Sequence, residues 1–162
     1  MKGMSWKEIP AMLALALLVL FTVDRSIQYR RENAPTSEYF EVHQVVVPDF
    51  IEGEDPVITY DRTIRKPFRG YFSAEVQRNG TLSAVHGCTG SSWVNYSPEK
   101  KLPPGGLTLS WFLWKEPGEC QLKEGAYRLY ACWDVYRDQA SVRHECASSR
   151  LFNVWAHKEE ER

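Results

Sequence analysis

At Tyr39 the pattern of apolar and polar residues changes to a period of two, which recurs in separate segments along the rest of the chain. Phe40, Val42 and Val46 set one face of a first strand against Glu41 and His43, and Pro48-Asp49 ends it. Glu52, Glu54 and Asp55 around Gly53 have turn composition, after which Pro56 opens a second strand. There Ile58, Tyr60 and Ile64 alternate with Thr59, Asp61 and Thr63. A third strand over Phe68 to Arg78 places Phe72, Ala74 and Val76 opposite Ser73, Glu75 and Gln77. Asn79-Gly80 supplies hairpin residues, and Thr81 to Val85 returns. Gly87 to Gly106 shows little pattern beyond Trp93-Val94. Leu107, Leu109, Trp111 and Leu113 then predict a strand between the Pro103 to Gly106 breaker and Pro117-Gly118. Tyr127, Leu129, Ala131, Trp133 and Val135 predict a long strand after Gly125, and Leu151 to Ala156 a last one.

The first 32 residues carry a different signal. Ile9 to Val23 is a run of 15 residues without a charge, between Lys7-Glu8 and Asp24-Arg25. As a helix it measures about 22 Å, at roughly 1.5 Å per residue, short of the usual span. Trp6, Ile27 and Tyr29 extend it at the interfaces, with Lys7 and Arg25 reaching the headgroups. It reads as an uncleaved anchor. The rivals are a cleaved signal peptide, for which no small-x-small site follows the run, and a buried helix of a soluble fold. The expected organisation is a cytoplasmic N-terminus over 1–8, an anchor over 9–29, a linker over 30–38, a β domain over 39–156 and a polar tail over 157–162. Seven or eight short strands with Gly, Pro and Asn turns predict an all-β fold, an immunoglobulin-like antiparallel sandwich behind one N-terminal transmembrane helix, with a small barrel as the alternative.

Charge narrows the partners. Five of the 20 Lys and Arg and three of the 21 Asp and Glu precede residue 33, leaving 15 against 18. The domain is slightly acidic, which argues against nucleic acid. Lys2 and Lys7 before the span and Arg25, Arg30 and Arg31 after it nearly balance, so charge does not orient the span. The cysteines do, because all four lie in the domain and disulfides persist in oxidising compartments. The domain is therefore expected outside the cytoplasm.

Cys88, Cys120, Cys132 and Cys146 allow three pairings. A hairpin from Gly125 to Ala156 with its loop near Gln139 sets Cys132 opposite Cys146, leaving Cys88 for Cys120. Strand parity opposes this: Cys132 points away from the Trp133 face, whereas Cys146 shares parity with Phe152 and Val154. A bulge near residues 147–150 would reconcile the two. His86-Gly87-Cys88 and His144-Glu145-Cys146 repeat a His-x-Cys pattern, but structural zinc sites use wider spacing. No Cys-x-x-Cys, nucleophile elbow or regular calcium loop is present, so no cofactor, metal or catalytic set is expected.

Two groups remain as a candidate interaction surface. Phe112 and Trp114 fall on the strand face opposite Leu109 and Trp111, and Tyr130 and Tyr136 opposite Trp133, so these four aromatics face outward or lie under loops. Arg62, Arg65, Lys66 and Arg69 form the one basic patch, suited to an anionic partner, to headgroups or to guarding an edge strand. Asn79 and Asn95 begin glycosylation sequons, relevant only in a eukaryotic secretory lumen.

VITYDRTI at Val57 to Ile64, RKPFRGY at Arg65 to Tyr71 and CQLKEGAYRL at Cys120 to Leu129 carry one resemblance. Together with the anchor, these segments make the chain similar to small membrane-anchored sandwich proteins of bacterial phages and prophages. The shared residues are scaffold residues and bring no catalytic set. The leading expectation is a non-enzymatic interaction module at the outer face of a cytoplasmic membrane, binding an unidentified protein partner, another envelope or phage component, through its sheet face. The alternative is a small structural subunit stabilising a larger membrane complex.

Overall fold

A computed structural model describes residues 9–33, 35–136 and 142–157. The expected cytoplasmic N-terminus, the loop centre near Gln139 and the tail beyond His157 lie outside them. The chain divides into two compact units, 1–35 and 36–162.

The first unit is one helix, α1 (Ile9–Asn33). It runs beyond the anchor expected to end at residue 29, so the first part of the expected linker is helical; a 3-10 turn at Thr36–Glu38 follows Pro35. Met12–Tyr29 is long and apolar enough to cross a membrane, with mean hydropathy 1.4. Leu13, Leu15, Leu17, Leu18, Leu20 and Phe21 are all exposed, and at this spacing they surround the helix. The Thr22 hydroxyl donates to the Val19 carbonyl (2.9 Å) and Ser26 to the Thr22 carbonyl (2.7 Å). Both hydroxyls are thus satisfied within the helix, as an apolar medium requires.

The second unit is β-rich, with two sheets. The strands are β1 (Phe40–Val46), β2 (Phe50–Ile51), β3 (Val57–Ile64), β4 (Phe68–Arg78), β5 (Ala84–Tyr96), β6 (Leu107–Thr108), β7 (Gly125–Tyr136), β8 (Val142–Ser148) and β9 (Phe152–Trp155). The smaller sheet has the order β1-β3-β6; the larger runs β2-β9-β7-β4-β5, with β8 also on β7. All pairs are antiparallel except β2 with β9.

Alternation on β4 and β7 builds the centre of the core. Phe72, Ala74, Val76, Tyr127, Leu129, Ala131, Trp133 and Val135 are buried, as the period of two predicts. Trp133, 1% exposed, is the hub. It stacks on Tyr60 of β3 at 5.7 Å with rings 3° from parallel, and meets Phe40 of β1 at 5.3 Å. One aromatic core therefore joins the inner faces of both sheets.

Three segments depart from their pattern. In β1 the buried residues are Phe40 and Val45, not Val46, and Val47 just beyond the strand is buried too, because a register break between Val42 and Gln44 reverses the parity beyond it. The return strand expected over Thr81 to Val85 begins only at Ala84 and runs on as β5 into the weakly patterned stretch from Gly87; Glu75 pairs with Thr89 but Gln77 with Ala84, so residues 85–88 between them form a wide bulge. The strand expected over Leu107 to Leu113 is only two residues long, and a short helix α2 (Leu109–Phe112) replaces the rest. Thr108 caps α2, its hydroxyl accepting the Trp111 N–H at 3.3 Å. In a helical turn Leu109, Phe112 and Leu113 share a face and are buried, whereas Trp111 is turned out.

Candidate interaction surfaces

The outer face of the larger sheet carries an aromatic cluster. Tyr71 on β4 faces Trp93 on β5, and Arg69 on β4 faces Tyr136 on β7. Their parity is opposite to that of the buried Phe72 and Trp133, so all four project to the surface. Trp93 is 49% exposed; Tyr71 lies 5.3 Å from it and Tyr136 4.9 Å, and the Arg69 guanidinium sits 4.7 Å over its ring. The Tyr71 hydroxyl donates to Ser91 (2.8 Å), which fixes that ring. Tyr130 occupies the same sheet face, four register pairs along from Tyr71, opposite Glu75.

A second aromatic site opens where β3, the end of β5 and α2 meet. It is a cleft of about 120 Å³ lined by Tyr60, Arg62, Tyr96, Trp111 and Trp114, with Lys100 and Lys101 on its loop side. The Arg62 guanidinium lies 5.1 Å over Tyr60 and 5.5 Å over Tyr96. Burial pushes the Tyr60 hydroxyl well above the usual tyrosine range, and the neighbouring Arg62 charge offsets only part of this. Burial likewise raises Tyr96, to about 12, against the lowering effects of Arg62 and a hydrogen bond from Trp133. Trp111 and Trp114 stack at 5.8 Å, 27° from parallel, about half exposed.

The residues expected to form one surface are thus divided. Phe112 is a correction: it is 2% exposed and packs edge-on against Tyr60 (5.5 Å) and Phe72 (5.1 Å), because α2 turns it inward. Trp111, expected inside, takes the outer position beside Trp114. Tyr130, Tyr136 and Arg69 lie on the outer sheet face; Arg62 and Trp114 line the cleft. The basic patch does not assemble. Arg65 pairs with Glu41 (2.9 Å) and donates to the Ser37 carbonyl, while Lys66 pairs with Glu38 (3.2 Å). Tyr71, Trp93, Lys100 and Lys101 were not foreseen as surface residues. The pairing of Trp93 with Tyr71 could not be read because the wide bulge in β5 conceals the register.

The cysteines join as Cys88–Cys120 and Cys132–Cys146, with Cα separations of 4.7 and 4.1 Å. This is the pairing the hairpin argument ranks first, with Cys132 directly opposite Cys146. The parity conflict disappears at a one-residue bulge: Tyr130 pairs with Ser148 but Tyr127 with Phe152, so three steps on β7 meet four on its neighbour. Ser149 fills the gap, its N–H donating to the Leu129 carbonyl (2.8 Å) and its hydroxyl accepting the Leu129 N–H (3.0 Å). His144 Nδ1 bonds Asp134 at 2.6 Å.

Asp49, Glu52, Glu54 and Asp55, the carboxylates around the turn at Gly53, are held in four separate interactions. Asp49 accepts from Asn153, Glu52 pairs with Lys123 (2.5 Å), Glu54 accepts the Ile51 N–H, and Asp55 accepts both the N–H and hydroxyl of Ser110. Only Glu54 closes its own turn; the other three bond residues distant in the chain. No protein-family model, curated protein or solved structure matches the chain.

Proposed function

We propose that the protein is a membrane-anchored, extracytoplasmic interaction module without enzymatic activity, akin to the phage and prophage proteins it resembles. The observation that carries this reading is the Trp93 cluster. Aromatic rings and an arginine gathered on one exposed sheet face have the composition of a protein-binding hot spot, where Trp, Tyr and Arg dominate binding energy. The edge-on and tilted packing of Tyr71, Trp93 and Tyr136 pre-orders the rings, reducing the entropy lost on binding. The finer architecture we propose is an immunoglobulin-like sandwich, supported by two sheets around a central buried tryptophan. Extracytoplasmic placement is supported by the two disulfides and anchoring by the apolar circumference of α1.

A photo-crosslinking residue placed at position 93, and separately at position 17, tests the reading in the full chain within its host membrane. A discrete protein adduct from position 93 supports a partner on the sheet face. Adducts from position 17 alone favour the small structural subunit, and adducts from neither sink the interaction reading. Hydrolytic turnover or stoichiometric metal in the purified protein would overturn the non-enzymatic part.

A further inference from the structure

Arg62 is half-buried, yet among the described residues no carboxylate pairs with it, nor with Lys100 or Lys101. The carboxylate next in sequence, Glu99, is turned to the Ser97 hydroxyl, which donates to it and holds it below its usual range. Three cations thus line one cleft with no carboxylate in ion-pair contact among the described residues. A partly desolvated guanidinium is costly to leave unpaired, and two aromatic faces return only part of that cost. The space inside, about 120 Å³, equals roughly four waters, well below the 300 Å³ or more of a pocket for a whole drug-sized ligand. It holds a head group and little else. The stacked Trp111–Trp114 pair at the same cleft offers a flat surface on which the remainder of a ligand can lie.

We propose that this cleft binds a small organic anion with a flat body, an aryl or sugar phosphate. The anionic head meets Arg62, Lys100 and Lys101, and the body stacks on Trp111 and Trp114. The site is separate from the Trp93 face, so it stands or falls independently of the protein partner proposed there.

Tryptophan fluorescence of the full chain in detergent micelles, titrated with phenyl phosphate and with glucose 6-phosphate, tests it and distinguishes the aryl from the sugar ligand. At least one phosphate is expected to saturate the signal and to bind roughly tenfold or more tightly than its neutral counterpart, phenol or glucose. Arg62→Gln should weaken that binding by about tenfold. The double change Lys100→Gln with Lys101→Gln, in exposed positions that do not support the core, should weaken it by roughly threefold. Lys66→Gln, outside the cleft, should leave it unchanged. The proposal is overturned if neither phosphate saturates the signal up to about 10 mM. Equal binding of the neutral compounds, or unaltered binding by the double lysine variant, overturns it as well.

Discussion

At Gly90 the chain has no room for a side chain. A Cβ there would overlap the backbone carbonyl of Leu113, which crosses β5 at this point and cannot swing away like a side chain. Gly90→Ala should therefore destabilise the domain by about 1–3 kcal/mol, the usual range for overpacking, read from denaturant midpoints. The buried tyrosines give a second residue-scale prediction. Tyr96 keeps its proton to about pH 12, whereas an unfolded tyrosine loses its own near pH 10. Between those values the unfolded chain binds fewer protons, so stability falls as pH rises; below pH 10 the contribution is fully present. The slope is about 1.4 kcal/mol per pH unit for each such group, with Tyr60 adding to it in the same direction. Unfolding midpoints from about pH 9 to about pH 12 should show the decline, and Tyr96→Phe should make it shallower. A decline of equal slope in Tyr96→Phe would assign the effect to other groups.

Among the elements, the two disulfides do different things. Cys88–Cys120 ties the bulge of β5 to the segment before β7 across 32 residues; Cys132–Cys146 lies on the outer face of an existing hairpin across 14. On loop entropy alone they contribute about 3.7 and about 3.0 kcal/mol. Cys88 is fully buried, so its loss also disturbs packing, whereas Cys146 is exposed. The double Cys132→Ser, Cys146→Ser variant should consequently retain more stability than Cys88→Ser with Cys120→Ser, as thermal melts without reductant would show. The reverse order would mean that the hairpin, not the bulge, is the weaker element. Of the elements themselves, β4 and β7 were readable because their alternation runs unbroken from end to end. The segment after Leu107 was not, since Leu107, Leu109 and Leu113 fit a strand, while Leu109, Phe112 and Leu113 fit a helical turn. The Thr108 cap and the close passage of Leu113 over Gly90 decide for the helix.

For the molecule as a whole, the proposed anchor makes a simple prediction: the intact chain should stay with membranes through alkaline carbonate washing. Mass spectrometry of the extracted protein should find Met1 retained and, without reductant, a mass lower by four hydrogens for two disulfides. A mature chain beginning after residue 26 would make α1 a cleaved signal, and four free thiols would place the domain in a reducing compartment.

The sequence alone determined the apolar helix, the β character of the domain, the inward faces of β4 and β7, and the ranking of cysteine pairs, because each follows from local periodicity or symmetry about one turn. Only the tertiary structure decided that Phe112 is buried and Trp111 is not, that Val45 replaces Val46, and that the basic residues disperse to separate partners. These outcomes depend on bulges, on a four-residue helix and on which strand lies opposite which. A single extra residue reverses every side chain beyond it, and the alternation of residue types along the chain does not record where that residue is inserted.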